Sequence, residues 1–415
     1  MRKTILILLA SLLLTGCAAD PVSTTESTAA TTTTPPETDS MTEATTLPPE
    51  TTAAPETTAA PETTTAPDPM DVLMDSLTLE QKVGQLFIAA PEQLLEDVTA
   101  ITAMTDELAA ALQTYPLGGI ILFAQNIQEP EQLMALNKAL ADACLIAPFL
   151  SVDEEGGLVA RLGRNSAFDL PTYENAAAVA ASGDPEDVLN MGRTIGGYLA
   201  KYGFNLDFAP VADVNTNPNN PVIGTRAFSS DPEMAATMAA AFAAGLREQG
   251  VCATFKHFPG HGDTDQDSHS GLAISWRNRE QQTACEWIPF REATARDFIM
   301  IAHVALPEIT GDMVPSTLSR PVVTGILREE LGFDGLIITD AMNMGAIADS
   351  YGSSEAAIAA LEAGCDIVLM PDNVPEAFRA VMDALNSGRF TEQWLDETVR
   401  QILSFKQAHG ILTLP

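Results

Sequence analysis

Basic residues are scarce in this chain. Its 415 residues include 21 lysines and arginines against 56 aspartates and glutamates, which gives a formal net charge of −35 at pH 7. Proteins that bind nucleic acids rely on Lys and Arg to neutralise phosphates, so this balance argues against a nucleic-acid partner. The same excess of negative charge opposes adhesion to anionic lipid head groups.

Cysteine is also rare, and the five cysteines show no CxxC spacing. We interpret the cysteines beyond the first as free thiols, buried where they begin predicted strands; they are Cys144, Cys252, Cys285 and Cys365. A GxGxxG motif is missing after the first predicted strand. Its absence weakens a nucleotide-binding interpretation.

The apolar run near the start, residues 5–14, is too short to span a bilayer as a mature helix. Arg2 and Lys3 precede it, as in a signal peptide. The ending Leu-Thr-Gly-Cys17 resembles the lipobox of bacterial lipoproteins, which implies cleavage before Cys17 and diacylglycerol on its sulfur. We therefore expect residues 1–17 to be a lipoprotein signal peptide and the protein to be extracytoplasmic and anchored to the cell membrane through Cys17. A plain secretory peptide is the alternative.

Residues 18–68 lack Lys and Arg, contain nine acidic residues and are dominated by Thr, Pro and Ala. The repeat Thr-Thr-Ala-Ala-Pro-Glu occurs twice in succession. Such a segment has too little apolar surface to offset the entropy lost on ordering, and proline and like charges favour extended chain. We predict a disordered linker that tethers a folded domain, residues 69–415, away from the membrane.

The folded part contains eight apolar runs of β-type composition, several of them separated by segments with helical periodicity, such as residues 131–143 and 231–249. Apolar strands that alternate with helices indicate a parallel sheet covered on both faces. Eight such units predict a single α/β domain, a (β/α)8 barrel of the TIM type, with a doubly wound sheet as the alternative. The predicted strands are residues 84–89, 118–123, 148–152, 204–211, 253–255, 298–303, 335–339 and 366–370.

Polar side chains follow five of these predicted strands. In a (β/α)8 barrel the catalytic residues come from the segments just after the strands. We therefore interpret their shared position as a functional site. The residues are Asp153, Asp213 with Arg226, Lys256 with His257, His303, and Asp340.

The loop of residues 256–269 holds three of the chain's five histidines and three aspartates, with two glycines that we expect to make it mobile. Zinc could be held there by His257, His261 and His269. However, no histidine precedes His257, whereas barrel metallohydrolases usually take ligands from the first strand, and a Pro-Gly pair breaks the helix that an HxxxH pair needs. We therefore expect no metal and no cofactor, and we expect EDTA to leave activity unchanged.

Glycoside hydrolysis is the second chemistry that fits this loop. It requires a carboxylate on one side of the sugar and an acid for the departing oxygen. Asp340 can supply the carboxylate, and His269, held by Asp267, can supply the acid. Imidazole has an ordinary pKa of about 6.5, so it can donate and then accept a proton near neutral pH. Taken alone, Asp-Ser-His is better explained as part of a solvated loop.

These residues lie in ordered motifs that resemble the signature of β-N-acetylglucosaminidases in glycoside hydrolase family 3, from about residue 76 to residue 411. The resemblance implies that His269 and Asp267 form a mobile acid/base dyad and that Asp340 is the nucleophile. It also implies a set of residues that grip the sugar hydroxyls, namely Asp153, Arg161, Arg226, Lys256 and His257. The motifs are Asp153-x-Glu-Gly-Gly-x-Val-x-Arg161, Phe208-Ala-Pro-Val-x-Asp-Val-Asn215, Asn219-Asn-Pro-Val-Ile-Gly-Thr-Arg226, Lys256-His-Phe-Pro-Gly-His-Gly-Asp263-Thr with Asp267-Ser-His269, and Ile338-Thr-Asp-Ala-Met-Asn-Met-Gly-Ala-Ile347.

The activity implied by this resemblance is that of a retaining exo-β-N-acetylglucosaminidase that releases terminal N-acetylglucosamine, with peptidoglycan fragments as the expected source. A β-N-acetylglucosaminide phosphorylase and a non-catalytic sugar-binding lipoprotein stay open as alternatives. Leu158 departs from the family pattern, since many relatives have Arg there. The chain ends soon after residue 410, where many members continue into a second α/β domain, so we expect the acid to lie in the barrel. We expect a monomer.

Overall fold

The computed structural model describes residues 68–268 and 271–414. The predicted signal peptide with Cys17, the predicted linker up to residue 67, and His269 lie outside the described residues, so the expectations for them stay predictions. The first helix begins at Pro69, and the side chain of Asp68 caps it by accepting a 2.9 Å hydrogen bond from the Met70 N–H.

The central feature is a barrel of eight parallel strands. They are β1 (Phe87–Ala89), β2 (Gly119–Ile121), β3 (Phe149–Val152), β4 (Leu206–Asp207), β5 (Cys252–Phe258), β6 (Phe298–Ile301), β7 (Leu336–Thr339) and β8 (Val368–Leu369). Consecutive strands are neighbours from β1 to β7, and β8 pairs with β1. The ring closes just before β8, where Ile338 bridges to Ile367 and the Asp366 N–H donates to Ile337 O at 2.8 Å. The predicted (β/α)8 barrel is confirmed.

Helices connect the strands. The α-helices in the described part are α1 (Pro69–Ser76), α2 (Leu79–Gly84), α3 (Asp106–Thr114), α4 (Pro130–Ala143), α5 (Ala176–Ala180), α6 (Pro185–Lys201), α7 (Pro232–Glu248), α8 (Arg279–Thr283), α9 (Pro307–Thr310), α10 (Gly345–Ala348), α11 (Ser353–Ala363), α12 (Val374–Asn386) and α13 (Glu392–Ala408). The remaining helical segments are the wider helix Pro321–Glu330 and the short turns Pro91–Leu94, Ala124–Asn126, Gly224–Arg226, Pro289–Glu292 and Ser316–Leu318.

Two helices illustrate how local sequence sets these boundaries. The helix α4 matches the predicted segment 131–143, and α7 matches the predicted segment 231–249. Asp231 caps α7 through a 2.9 Å hydrogen bond from the Met234 N–H, and Pro232 occupies the first turn, where its missing N–H costs nothing. No helix among residues 68–268 and 271–414 is long and apolar enough to cross a membrane.

Every residue of the eight strands is buried. This burial on both faces explains why the strands were recognisable as continuous apolar runs. The strand β5 continues three residues beyond its predicted end. Lys256 and His257 therefore lie within the strand, whereas we predicted them to follow it, because partners for their charged or polar groups are available at the end of the barrel.

The opposite end of the barrel is held by a buried lysine. Lys406, on α13, donates hydrogen bonds of 2.8 Å to Gln85 Oε1 and to Gly118 O, which precede β1 and β2. Burial lowers the pKa of Lys406 to about 7. This contact fixes the last helix at the amino ends of the strands, the end that serves stability in a barrel of this kind.

Candidate active site

A cavity of about 330 Å³ opens at the carboxyl ends of the barrel strands. This volume suits a single small ligand. The structure brings together six of the residues predicted from sequence, because all of them line this cavity; they are Asp153, Arg161, Arg226, Lys256, His257 and Asp340. Their chemical roles stay predictions.

Asp340 directly follows β7. Its N–H donates to Ile301 O at 2.9 Å, and its Oδ1 accepts from the Ala341 N–H at 2.8 Å. Burial opposes the ionised form, but the charges of His303 and His257, together with the Ala341 N–H, outweigh it and lower the pKa of Asp340 below its ordinary value. The side chain is therefore a carboxylate at neutral pH, held on a rigid strand end.

A buried network of charges forms the floor of the cavity. The Lys256 ammonium lies 2.9 Å from Asp153 Oδ1 and 2.7 Å from Glu155 Oε1. Arg226 binds Glu155 through two parallel hydrogen bonds, 2.9 Å from Nε to Oε2 and 2.7 Å from Nη2 to Oε1. Burial alone would raise the pKa of Glu155, but Arg226 and Lys256 together hold it well below the ordinary range. Each buried charge in this network thus has an opposite charge beside it, as burial requires.

The carboxylates reach the floor on a hairpin formed by two short strands, Glu154–Gly156 and Val159–Ala160. The Glu154 side chain is fully buried; it accepts hydrogen bonds from the N–H groups of residues 161–163 and, at 2.7 Å, from the Tyr198 hydroxyl. Side chains alternate along an extended chain, so Glu154 points into the protein while Asp153 and Glu155 face the cavity.

Arg161 lies just beyond this hairpin. Its Nη2 is 3.2 Å from Asp153 Oδ2, and its guanidinium lies 5.6 Å from the centre of the Phe123 ring. Asp153 thus has two cationic partners, Lys256 and Arg161, and the guanidinium of Arg161 also lies beside the aromatic ring of Phe123 in the cavity wall.

Asp213 orients His257. The Asp213 carboxylate is fully buried; its Oδ2 lies 2.6 Å from His257 Nδ1, and its Oδ1 accepts from the His261 N–H at 2.7 Å. Since the Asp213 carboxylate can only accept, Nδ1 of His257 carries a ring proton. His257 is thus held in one ring orientation, with Nε2 3.5 Å from Arg226 Nη2.

The loop that carries the predicted dyad is described up to Ser268. Asp267 is half-buried, and Ser268 lines the cavity. Ser268 Oγ lies 3.1 Å from His261 Nε2, and Thr264 Oγ1 lies 2.7 Å from His261 Nδ1. Both ring nitrogens of His261 therefore have hydroxyl partners, which disfavours His261 as a zinc ligand. The geometry of the dyad itself depends on His269, which lies outside the described residues.

The two glycines of this loop serve close packing. A Cβ on Gly260, whose φ is +122°, would lie 2.6 Å from Glu286 Cγ, and a Cβ on Gly262 would lie 1.8 Å from Val214 O. Any other residue would force the loop away from its supports. We expected these glycines to supply mobility, but in the structure they allow tight contact.

Two members of the site, Glu155 and Asp213, have no specific role among the predictions from sequence. The alternation of side chains after β3 was a usable signal for Glu155, because it stands two residues from Asp153 on the same side of the chain. Asp213 had a weaker signal, since its partner His257 lies on another strand and only the folded barrel brings the two together.

Comparison with known proteins gives a consistent result. Residues 78–405 match the family model described as the glycosyl hydrolase family 3 N terminal domain. Beta-hexosaminidase A of Pseudoalteromonas piscicida is 34% identical over 334 residues, which are 74% of this chain and 56% of that protein. Beta-hexosaminidase of Stenotrophomonas maltophilia strain K279a is 36% identical over 288 residues, which are 68% of this chain and 84% of that protein. The chain thus spans little more than half the length of the first of these relatives.

Among solved structures, a glycoside hydrolase family 3 beta-N-acetylglucosaminidase from Paenibacillus sp. str. FPU-7 superposes with a TM-score of 0.75 at 38% identity. The match covers 81% of this chain and 63% of that one.

Glu155→Ala should lower the free energy of unfolding by about 3–5 kcal/mol, because Arg226 loses its buried carboxylate and Lys256 loses one of two. Chemical denaturation measures this loss. Glu362→Ala is the matched control: Glu362 also binds its partner, Arg389, through two hydrogen bonds of 2.7 Å, but this pair lies at the surface, where water replaces the lost partner. Equal losses in the two variants would contradict a stabilising role for the buried network.

Proposed function

Because the chain belongs to glycosyl hydrolase family 3, we propose that it is a retaining exo-β-N-acetylglucosaminidase that releases terminal N-acetylglucosamine. One observation carries the proposal: an ionised Asp340 lines a cavity for a single small ligand, and the same cavity is lined by a network of paired acidic and basic side chains. The beta-hexosaminidase names of the relatives support a hexosaminide substrate, and the beta-N-acetylglucosaminidase from Paenibacillus supports the choice of N-acetylglucosamine.

Asp340 acts as the nucleophile in this proposal. Its carboxylate attacks the anomeric carbon, the bond to the leaving oxygen breaks, and a glycosyl ester on Asp340 results. The lowered pKa of Asp340 supports the role, since only the carboxylate form attacks. The contact to the Ala341 N–H keeps the side chain in one orientation.

The floor of the cavity binds the sugar hydroxyls. The Asp153 carboxylate accepts from hydroxyl groups, while Lys256 and Arg226 donate to hydroxyl oxygens. Arg161 and His257 complete this set at the wall of the cavity. Because these side chains are already held by ion pairs and hydrogen bonds, little conformational entropy is lost when the sugar binds.

His269 supplies the proton to the leaving oxygen and later removes one from water, with Asp267 as its partner. The other acids near the cavity are poor candidates for this task. Glu155 is held ionised by two cations, and Glu154 is fully buried behind three N–H donors and a hydroxyl. An acid on the loop after β5 avoids both constraints.

We propose in addition that the enzyme is an extracytoplasmic lipoprotein, anchored through Cys17 and tethered by the linker, and that it acts on peptidoglycan fragments. The lipobox-like sequence and the acidic, proline-rich composition of residues 18–68 support this location. An enzyme held at the outer face of the membrane meets such fragments directly.

The substrate test uses the purified full chain with aryl β-N-acetylglucosaminide and aryl β-glucoside, each with and without inorganic phosphate. The proposal predicts hydrolysis of the N-acetylglucosaminide independent of phosphate. Phosphate-dependent formation of a sugar 1-phosphate would identify a phosphorylase instead. Sugar binding without turnover would identify a sugar-binding lipoprotein.

Asp340→Asn should reduce turnover by several orders of magnitude while sugar binding survives, because the shape stays and the attacking charge is lost. Steady-state kinetics and calorimetric titration with N-acetylglucosamine measure the two properties. Asp349→Asn, at an exposed aspartate nine positions later, is the control and should behave as the wild type. Near-wild-type turnover in a folded Asp340→Asn enzyme would remove Asp340 from the nucleophile role.

His269→Ala should affect substrates according to their leaving groups. Poor leaving groups need protonation, so their first step slows most, whereas an activated aryl glycoside is nearly spared in that step and then accumulates as a glycosyl-enzyme. Azide should restore turnover, since it attacks without a base, and Asp267→Ala should show a milder form of the same pattern. Equal losses on good and poor leaving groups, with no intermediate in mass spectrometry, would give His269 a binding or structural role.

A further inference from the structure

A second group of buried ionisable side chains lies behind the loop after β5, outside the cavity already described. We call it the Glu286 cluster; it consists of Asp263, Ser275, Arg277, Gln282 and Glu286. Arg277 Nε lies 3.2 Å from Glu286 Oε1 and 3.4 Å from Asp263 Oδ2. One N–H group therefore faces two carboxylates.

The remaining oxygens of this cluster are short of donors. Ser275 Oγ donates to Asp263 Oδ2 at 2.6 Å and accepts from Gln282 Nε2 at 3.0 Å, while Thr216 Oγ1 lies 3.4 Å from Glu286 Oε1. Within the described part of the chain, Asp263 Oδ1 and Glu286 Oε2 are buried with no protein hydrogen-bond partner. With both acids ionised, the cluster carries two negative charges against the single charge of Arg277. One proton on the pair balances these charges and supplies one further donor to the cluster.

The pKa values of the two acids agree with one shared proton. Burial raises the pKa of Glu286 to about 7, with Asp263 adding to the rise and Arg277 opposing it. Burial likewise raises the pKa of Asp263, and Asp213 adds to it from the segment after β4. The Cys285 thiol also faces Glu286 and stays neutral, because burial raises the pKa of this thiol to about 11; its hydrogen bond to Glu286 opposes the rise in the Glu286 pKa.

The cluster is connected directly to the loop that bears the dyad. Asp263 stands four residues before Asp267, and Gly260 packs against the Cβ and Cγ of Glu286. The partners Arg277 and Glu286 come from the segment after the loop, near α8. The loop is thus held against a separate part of the chain by side chains whose charge balance depends on one proton.

We propose that Asp263, Arg277 and Glu286 form a proton-dependent anchor that positions the loop bearing Asp267: the loop is held while the acid pair keeps one proton and loosens when that proton is lost. These are positioning residues, since none of them lines the cavity. Loss of the proton leaves two buried carboxylates facing one guanidinium, and their repulsion acts on Asp263 and so on the loop. The consequence for catalysis rests on the proposed function, but the anchor itself does not.

The first test is thermal stability as a function of pH in the full chain. An acid whose pKa is raised on folding stabilises the fold below its unfolded pKa of 4.5, and this contribution is lost as pH rises through the folded value near 7. Glu286→Gln keeps the shape and stays neutral. The Tm of Glu286→Gln minus that of the wild type should therefore rise by about 5 °C or more between pH 5 and pH 8.

Glu280→Gln is the matched control, because Glu280 is an exposed glutamate on the adjacent helix α8. Its Tm difference from the wild type should stay constant over the same range. Asp263→Asn is a second variant of the pair and should follow Glu286→Gln. A constant difference for both Glu286→Gln and Asp263→Asn would overturn the anchor.

The second test reads the loop region directly through tryptophan. The chain has three tryptophans, and Trp287, which is fully buried, follows Glu286. In a background with Trp276→Phe and Trp394→Phe, Trp287 fluorescence should change in one step near pH 7. Glu286→Gln should abolish this step. A step that persists in Glu286→Gln would assign the proton to another group and overturn the proposal.

The activity arm separates this inference from the proposed function. If the enzyme hydrolyses aryl β-N-acetylglucosaminide, the ratio of kcat at pH 8 to kcat at pH 6 should be at least about threefold higher in Glu286→Gln than in the wild type. The reason is that at pH 8 nearly every wild-type molecule has lost the proton of the anchor, whereas the glutamine side chain of the variant is neutral at both pH values. An unchanged ratio would refute the positioning role. If no substrate is turned over while the Tm and fluorescence effects appear, the anchor stands and the proposed function fails.

Discussion

The buried ammonium of Lys256 is the contact on which the candidate site depends. It joins Asp153 and Glu155, which follow β3, to β5, and through Glu155 it reaches Arg226 in the segment after β4. Removing such a group from water costs several kcal/mol, roughly, unless opposite charges stand at hydrogen-bond distance. The fold therefore has to bring these strand ends together with little tolerance, and closure of the barrel achieves this.

Identical residue types have different charge states in neighbouring positions. Glu155 and Asp340 are kept ionised, in spite of burial, by the cations beside them. Glu154 and Glu286 have fewer cations nearby, and burial raises their pKa. The first pair faces the cavity, where the proposed function uses charge for binding and attack, and the second pair supports the hairpin and the loop from behind. The surroundings of each carboxyl group, rather than its residue type, therefore decide whether it is ionised at the cavity or has a raised pKa behind it.

The barrel and most of the charged side chains that line the cavity were predictable from sequence for a simple reason. Strands buried on both faces are continuous apolar runs, and a polar residue such as Asp340 at the end of such a run is conspicuous. Contacts between distant segments were not predictable in this way. The pairing of Glu286 with Arg277 and Asp263 joins separate segments and leaves no periodic pattern in the sequence. Gly260 was predicted to make the loop mobile, because Glu286, the side chain against which it packs, lies 26 residues away in the chain and could not be recognised as its neighbour.

The proposed two-step chemistry makes different demands on the two catalytic groups. In that proposal Asp340 stays at the anomeric carbon through both steps, bonding to it in the first and leaving it in the second, so a strand end that holds one orientation suits it. The acid donates a proton to the leaving group in the first step and removes one from water in the second, and we place it on the loop after β5 rather than on a strand. Such a loop still needs a defined resting position. Within the loop, His261 contacts Ser268 on the cavity side, while Arg277, from the segment after the loop, contacts Asp263 on the far side. Only the second contact involves a buried acid pair, and the proposed anchor therefore makes the loop respond to pH while the floor of the cavity stays unchanged.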